Sequence, residues 1–193
     1  YQPVEREQRL TRQILEVLAE YNHPFGIVTK SDLVLRDADI IGPMAAKGMA
    51  AVTLSVTTLD RNLARKLEPR APTPPKRLAA IGSLSALGIP TGVLAAPIIP
   101  SLNDMELEKI LDSAARAGAT GAGYVMLRLP LEIADLFREW LETHFPDKAA
   151  HVLNLVKQTR GGAMYDSRWG QRAVGSGPYA DLLRQRYRLA LRK

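Results

Sequence analysis

The chain contains no cysteine, and this absence excludes several kinds of chemistry at once. Without a thiol, its 193 residues can form no disulfide, no thiolate zinc site, no cysteine nucleophile and no ligand set for an iron–sulfur cluster. The chain also lacks any apolar run of the roughly 18 to 20 residues that cross a bilayer. The sequence therefore predicts a cytoplasmic protein, and any chemistry that needs sulfur ligands depends on residues outside this chain.

Histidine is scarce as well. His23, His144 and His151 are scattered, and no spacing places two of them on one helix face or beside a pair of carboxylates. We interpret them as structural or surface residues, because metal sites and catalytic triads need convergent partners. The net charge of +6 would attract anionic ligands or nucleic acid, although charge alone identifies neither.

The chain does contain four successive strand and helix patterns. Short apolar stretches without strict polar alternation predict strands that are buried on both faces of a parallel sheet, at residues 25–29, 50–56, 91–96 and 123–127. Gly48, Gly88 and Gly118 each precede one of the later strands, where a left-handed residue can end the preceding helix. This alternation predicts a parallel α/β fold.

Two helix starts carry their own signals. Thr73 followed by Pro74 predicts one start, because proline at the first helical position gives up only an amide that has no partner. Asn103 and Glu106 have the spacing of a capping box, in which the Asn103 side chain would accept a bond from a free amide.

The chain opens directly on a helix pattern, with apolar residues at helical spacing: Leu10, Ile14, Val17, Leu18 and Tyr21. Such a helix normally packs on a sheet through the strand that feeds it, so either an earlier strand is missing or the helix packs in another way. We favour a missing strand, because Tyr1, Gln2 and Pro3 resemble the end of a strand-to-helix loop. A barrel segment of this kind would have exposed sheet edges, which predicts a homodimer or an edge that is closed by the chain's own tail.

Polar residues near the carboxyl ends of the predicted strands form the candidate site, because ligands of parallel α/β folds bind there. Lys30 follows the first strand and could bind a carboxylate or phosphate, while Ser55 and Thr57 on the second point to one side and could bind a sugar. Arg70 could reach the same rim from a proline-restricted loop. The alternative is that Lys30 and Arg70 lie in solvent and the hydroxyls cap helices.

The C-terminal residues form a basic helix pattern. Arg184, Arg188 and Arg192 recur at helical spacing, with Arg168, Trp169 and Arg172 not far upstream. Such residues could follow a phosphate backbone and stack on a base, or they could simply be a solvated face.

Six segments, in order and with plausible spacing, resemble the radical S-adenosylmethionine proteins related to spore photoproduct lyase. These segments are Tyr1-Gln2-Pro3-Val4-Glu5, Val28-Thr29-Lys30-Ser31, Leu54-Ser55-Val56-Thr57-Thr58-Leu59-Asp60, Glu68-Pro69-Arg70-Ala71-Pro72, Ala96-Pro97-Ile98-Ile99-Pro100-Ser101-Leu102-Asn103-Asp104 and Arg160-Gly161-Gly162.

The resemblance implies a partial parallel (β/α) barrel in which this chain supplies strands three to six of a six-stranded core and lacks the first strands. We expect a truncated barrel core at residues 1–145 and a helical C-terminal extension at residues 146–193. In the family, a three-cysteine loop after the first strand holds a 4Fe–4S cluster, and S-adenosylmethionine on that cluster gives a 5′-deoxyadenosyl radical.

The resemblance also implies site residues. Lys30 and Ser55 match strand-end positions that contact S-adenosylmethionine, Thr57 is a weaker companion, and the Pro97 segment would line the adenosine. Because the cysteine loop is absent from this chain, we expect a piece of a larger enzyme that holds neither cofactor and has no activity alone.

Two alternatives of other classes stay open. One is a small α/β protein that binds an anionic metabolite or nucleotide at Lys30 and Arg128 without redox chemistry. The other is a basic nucleic-acid-binding module that uses Arg184, Arg188 and Arg192. The substrate is not identified by the sequence.

Overall fold

The computed structural model describes residues 1–192 as two compact units. The first unit comprises residues 1–94 and 112–123, and the second comprises residues 95–111 and the chain from Tyr124 onward. Among the described residues, the strands are β1 (Phe25–Thr29), β2 (Ala50–Ser55), β3 (Thr91–Ile98) and β4 (Gly121–Met126). The sequence-based division at residue 145 stays a prediction.

The strands form one parallel sheet in the order β1-β2-β3-β4, as the alternating pattern predicted. Phe25 lies opposite Ala50, and Val52 lies opposite Thr91. Each predicted strand is confirmed to within two residues at either end. The carboxyl ends of neighbouring strands therefore lie on the same edge of the sheet.

Helices connect and follow these strands. Over residues 1–192 they are α1 (Glu5–Gln8), α2 (Leu10–Glu20), α3 (Ala38–Ala46), α4 (Arg61–Leu67), α5 (Pro74–Ala86), α6 (Leu107–Arg116), α7 (Ile133–His144), α8 (Pro146–Gln158) and α9 (Pro178–Ala190). Short 3-10 helices span Asp32–Asp37 and Asp104–Glu106. None of the described helices is long and apolar enough to cross a membrane.

Each unit has a buried apolar core. In the first unit the fully buried side chains include Val34, Ile41, Val52, Leu54, Val56, Ile81 and Leu84. In the second unit they include Ile98, Ile99, Leu107, Ile110, Leu141 and Val152. These residues come from strands and from the inner faces of helices, as the period of each pattern requires.

The expectation that all four strands are buried on both faces is wrong for β1. Its exposure alternates along the strand, and Val28 is 65% exposed. The reason is that one face of the sheet is open there among the described residues, at Gly26 and Val28 of β1 and at Ala51 of the neighbouring β2. An apolar composition alone does not distinguish an edge strand from a central one.

The apolar stripe of α2 is also largely open. The helix itself is confirmed, but Leu10, Ile14, Val17 and Tyr21 are all exposed, and Leu15 is the buried residue instead. The predicted homodimer would form through the exposed edge strand. Dimer formation stays a prediction.

A carboxylate holds the N-terminal segment in place. Asp37 is fully buried and accepts hydrogen bonds from Tyr1 Oη at 2.8 Å, Arg36 Nε at 2.9 Å and Arg12 Nη1 at 3.2 Å. Burial would raise the pKa of Asp37, but the bonds from Arg36, Tyr1 and Arg12 outweigh this effect and lower it. Glu5, also buried, accepts the Thr11 amide at 3.1 Å near the start of α2.

One predicted helix start and the three glycine turns match the structure, but the predicted cap at Asn103 does not. Helix α5 begins at Pro74 as predicted, and the three glycines have left-handed φ values of 72°, 72° and 102°. The capping role of Asn103 is wrong, because its side chain makes no cap bond. The buried Asn103 amide instead accepts from Ile99 N at 2.6 Å and donates to Pro97 O at 2.9 Å, so it closes the turn after β3.

Candidate functional site

The candidate site lies at the carboxyl ends of β1 and β2, within the first unit. Lys30 directly follows β1, Ser55 ends β2, and Thr57 lies two residues beyond Ser55. The hydroxyls of Ser55 and Thr57 belong to buried residues, whereas the Lys30 side chain is 42% exposed. The rim therefore combines one accessible ammonium group with two buried polar side chains.

Local hydrogen bonds shape the two loops that carry these residues. Thr29 Oγ1 accepts the Ser31 amide at 3.0 Å, and Ser31 Oγ caps the following 3-10 helix through the Leu33 amide at 3.2 Å. After β2, Thr58 Oγ1 accepts the Asp60 amide at 3.0 Å, and Asp60 caps α4. Such side-chain bonds to the backbone fix turns and helix starts. Ser31 and Asp60 therefore cap the helices that follow β1 and β2.

The carboxylate of Glu68 connects the predicted residues. Its Oε1 accepts from Lys30 Nζ and, at 2.8 Å, from Thr57 Oγ1. Its Oε2 accepts from Arg77 Nη2 at 2.5 Å. Because only 10% of the Glu68 side chain is exposed, these three donors surround a largely desolvated negative charge.

Arg77 extends this network to the backbone of β2. The residue is 2% exposed, and its Nη1 donates to Ser55 O while its Nε donates to Pro72 O, each at 2.9 Å. A planar guanidinium offers donors in a fixed arrangement, so Arg77 holds both Glu68 and the end of β2 in place. We call Lys30, Thr57, Glu68 and Arg77 the Glu68 network.

The electrostatics of the network favour an ionised Glu68. Burial by itself raises the pKa of Glu68, but the Lys30 bond and the charges of Arg77 and Lys30 lower it further, so the pKa lies below its usual value. Two cations and one carboxylate leave the network with an excess positive charge, located on the exposed Lys30 side. An incoming anionic group would meet that charge.

Glu68 and Arg77 were missed by the sequence interpretation. Glu68 lies in the same quoted segment as Arg70, but the segment suggested only Arg70 as a candidate, and Arg70 is exposed. A signal for Arg77 was present, because residues 77, 81 and 84 share one face of α5 and the last two are apolar and buried. A charged residue on a buried face requires an internal partner.

Pro97 and Arg128 belong to the second unit. Pro97 lies in β3 and follows a cis peptide bond after Ala96. Arg128 is exposed and lies over the Tyr165 ring at 6.0 Å.

Arg160, of the quoted Arg160-Gly161-Gly162 segment, is 2% exposed. Its Nη2 donates to Leu127 O at 2.6 Å and Met126 O at 3.3 Å. Its Nη1 donates to Arg172 O at 3.0 Å and Gln171 O at 3.1 Å. The guanidinium therefore joins the end of β4 to a later loop of the same unit.

The basic tail forms helix α9, which packs within the second unit through both apolar and polar side chains. Leu183 is buried and Tyr187 contacts the Tyr124 ring at 4.9 Å, while Arg186 donates to Glu108 at 2.7 Å. Arg184 pairs with Asp181 at 2.5 Å, so this member of the predicted stripe engages a carboxylate of its own helix.

In the part of the chain that the structure describes, no group of three or more His, Asp or Glu residues could hold a metal ion. With no cysteine in the sequence, the residues of this chain do not fit an iron–sulfur cluster.

These features define a class: an α/β protein with a four-stranded parallel sheet and polar residues at the carboxyl edge of that sheet. No family model matches the chain. An uncharacterized protein of Mycobacterium tuberculosis (strain H37Rv) is 32% identical over 160 residues, which is 82% of this chain and 47% of that protein. An uncharacterized protein of Methanocaldococcus jannaschii is 30% identical over 154 residues, 80% of this chain and 56% of that protein. The chain thus spans about half the length of the curated relatives that it matches.

Among solved structures, the chain is similar to a cysteine-to-serine mutant of spore photoproduct lyase. The TM-score is 0.63 at 16% identity, and the match covers 97% of this chain and 54% of that one. At this identity the similarity shows a shared fold. It agrees with the partial-barrel expectation at the level of the α/β architecture.

Proposed function

We propose that this chain is part of a radical S-adenosylmethionine enzyme, and that the rim around Lys30, Ser55 and Thr57 binds S-adenosylmethionine. The observation that carries the proposal is the Glu68 network, which joins Lys30 and Thr57 through one carboxylate oxygen and reaches the Ser55 carbonyl through Arg77. The sequence resemblance and the fold shared with spore photoproduct lyase support the class. The substrate remains to be identified.

The donor set of the rim suits the amino-acid end of that cofactor. Lys30 can donate to a ligand carboxylate while Glu68 keeps its bonds to Thr57 and Arg77. A lysine ammonium is a compact charge with three donors, so it can serve Glu68 and a ligand together. Pro97 belongs to the second unit, so its role in lining the adenosine stays an expectation from the resemblance and is not part of this proposal.

The proposed enzyme also needs an iron–sulfur cluster. Its ligands are not among the residues of this chain, so cluster binding and radical formation are assigned to other parts of the proposed enzyme. The cluster would supply the electron that cleaves the cofactor. The role of this chain in the proposal is to bind and orient the amino-acid and sugar parts of the cofactor.

The proposal can be tested in the longer protein that contains this chain by changing Lys30 to alanine. A charge-assisted contact is typically worth about 1.5 to 3 kcal/mol, so the affinity for S-adenosylmethionine should fall at least several-fold. Equilibrium dialysis with labelled cofactor measures the change. Lys47→Ala is the matched control, because Lys47 is an exposed lysine that bonds Asn22. Unchanged affinity in Lys30→Ala would remove Lys30 from the site.

A nucleic-acid function has a separate observation in its favour. Trp169 is 84% exposed, and the Arg172 guanidinium lies 4.3 Å from its ring centre. Exposed aromatic rings beside cations are suited to stacking on unpaired bases. Binding to DNA that weakens steeply with salt would support this candidate, and no binding at low salt would eliminate it.

A further inference from the structure

A basic cavity lies beside the Glu68 network in the first unit. Its volume is about 510 Å³, and its charged lining consists of Arg6, Lys30, Asp32, Arg70 and Lys76. Pockets for small molecules commonly have volumes of about 300 to 1,000 Å³. We call these five residues and the space between them the basic cleft.

The cations of the basic cleft come from separate parts of the chain. Arg6 lies in α1, Lys30 follows β1, Arg70 lies in the loop before α5, and Lys76 lies in the first turn of α5. The four cations come from three separate parts of the chain. The charges of a charged helix face, in contrast, follow one another along the sequence. The fold brings these charges together around one space.

Three cations of the cleft, Arg6, Arg70 and Lys76, differ in their partners from three less exposed arginines of the same unit. Arg12, Arg36 and Arg77 each form an ion pair with a carboxylate. None of the ion pairs found among residues 1–192 includes Arg6, Arg70 or Lys76. The lining therefore carries four cations and the carboxylate of Asp32, and Glu68, which pairs with Lys30, is also paired with Arg77.

This excess charge is poorly matched to S-adenosylmethionine alone. The cofactor carries a sulfonium and an ammonium against one carboxylate, and its net charge is therefore positive. Positive charge in excess attracts anions, so the part of the cleft around Arg6, Arg70 and Lys76 disfavours a cationic ligand. Lys30, with Glu68 beside it, suits the carboxylate of the cofactor, whereas Arg6, Arg70 and Lys76 call for a second ligand of opposite charge.

We propose that Arg6, Arg70 and Lys76 form a binding site for a compact polyphosphate group, such as the diphosphate or triphosphate end of a small-molecule substrate. Arginine binds phosphate oxygens in pairs, and lysine binds them as a point charge. The volume of the cleft suits a small molecule. This site goes beyond the proposed cofactor site and does not depend on it.

Inorganic tripolyphosphate is a suitable probe, and titration calorimetry on the longer protein that contains this chain measures its binding. We expect binding that weakens as salt rises, because the contacts are between exposed charges. Arg70→Gln and Lys76→Gln should each weaken it about threefold to tenfold, the range for a partly exposed charged contact. Both side chains are exposed, so circular dichroism should show unchanged folding.

Lys47→Gln is the matched control, because it removes the same charge from an exposed residue that does not line the cleft. No measurable binding of tripolyphosphate would overturn the proposal. So would an equal loss of affinity in Lys47→Gln, or equal displacement by sulfate at the same ionic strength, since either result means nonspecific attraction.

A single-stranded oligonucleotide separates the two sources of phosphate. If Arg70→Gln weakens oligonucleotide binding but leaves tripolyphosphate binding unchanged, the cleft holds a nucleic-acid backbone and the proposal for a small molecule is wrong. Cofactor binding is not involved in any of these measurements. A failure here therefore leaves the Lys30→Ala experiment, and the proposed function, unaffected.

Discussion

Arg77 in the first unit and Arg160 in the second are equally buried, at 2% exposure each, but they are held in different ways. Arg77 meets the Glu68 carboxylate and two backbone carbonyls. Arg160 meets four carbonyls and, within residues 1–192, no carboxylate among its hydrogen-bond partners. Its Nε has no hydrogen-bond partner in that range.

The electrostatic consequence differs as well. Burial lowers the pKa of Arg160, because its guanidinium is desolvated. Arg77 belongs to a network with an exposed member, Lys30, whereas Arg160 joins the end of β4 to a later loop of its own unit. The comparison separates a network that reaches solvent from a buried arginine held by the backbone, and a binding role for the Glu68 network stays a proposal.

The largest effect is expected from Arg77→Met. Removing one partner of a buried pair typically costs about 3 to 5 kcal/mol, because it leaves a charge without compensation, here on Glu68. Urea denaturation measures the loss. Arg116→Met is the control, since Arg116 is exposed and pairs with Asp112 one turn away, and it should cost about 0.5 kcal/mol or less. A loss below about 1 kcal/mol in Arg77→Met would mean that Lys30 and Thr57 suffice for Glu68.

Arg160→Met should have the next largest effect and lower the free energy of unfolding by about 2 to 3 kcal/mol. The loss of four hydrogen bonds is partly offset by the removal of a desolvated charge. Hydrogen exchange can localise the loss at the Ser176 amide, which donates to Thr159 O at 3.0 Å. Arg160→Lys keeps the charge but lacks the planar fork, so most of the loss should remain. If lysine restores full stability, charge matters more than geometry and the comparison fails.

The smallest effect concerns pH. The pKa of Glu68 is lowered in the folded chain, so its stabilising contribution is complete above the unfolded value of about 4.3 and is lost as pH falls through the folded pKa. Glu68→Gln should therefore be less stable than the natural chain at pH 7, and the difference should shrink below about pH 4.3. Asp37, Asp39 and Asp166 also have lowered pKa values. They contribute to the pH dependence of both the natural chain and the Glu68→Gln variant, so the difference between the two reports on Glu68. A constant difference across this pH range would contradict an ionic role.

Much of the fold could be predicted from the sequence because it is local. Apolar runs, the Thr73-Pro74 start and the three glycines each reflect a conformational preference of a few neighbouring residues. The exposure of β1 and of the α2 stripe could not be predicted, because it depends on what lies beside them. Burial is decided by distant parts of the chain.

The site shows the same limit. Lys30 and Thr57 could be selected because they follow strands, and the structure brings both to one carboxylate oxygen. Their common partner, Glu68, lies 38 residues after Lys30, and no local pattern connects the two. Asn103 had the spacing of a cap, yet its amide instead bonds two backbone groups of the preceding turn. The pairing of Lys30 with Glu68 follows from the fold and has no sequence period, whereas the Asn103 bonds are local but depend on the turn that follows β3.

The four carbonyls around Arg160 also bear on evolution. A carbonyl is present at every position of a chain whatever its side chain, so mutations at residues 126, 127, 171 and 172 leave the acceptors of Arg160 in place. Glu68 has no such protection, since a single codon change removes its charge. Homologues should therefore change positions 30, 68 and 77 together. An arginine at position 160 can persist while the residues that supply its four carbonyl acceptors are substituted.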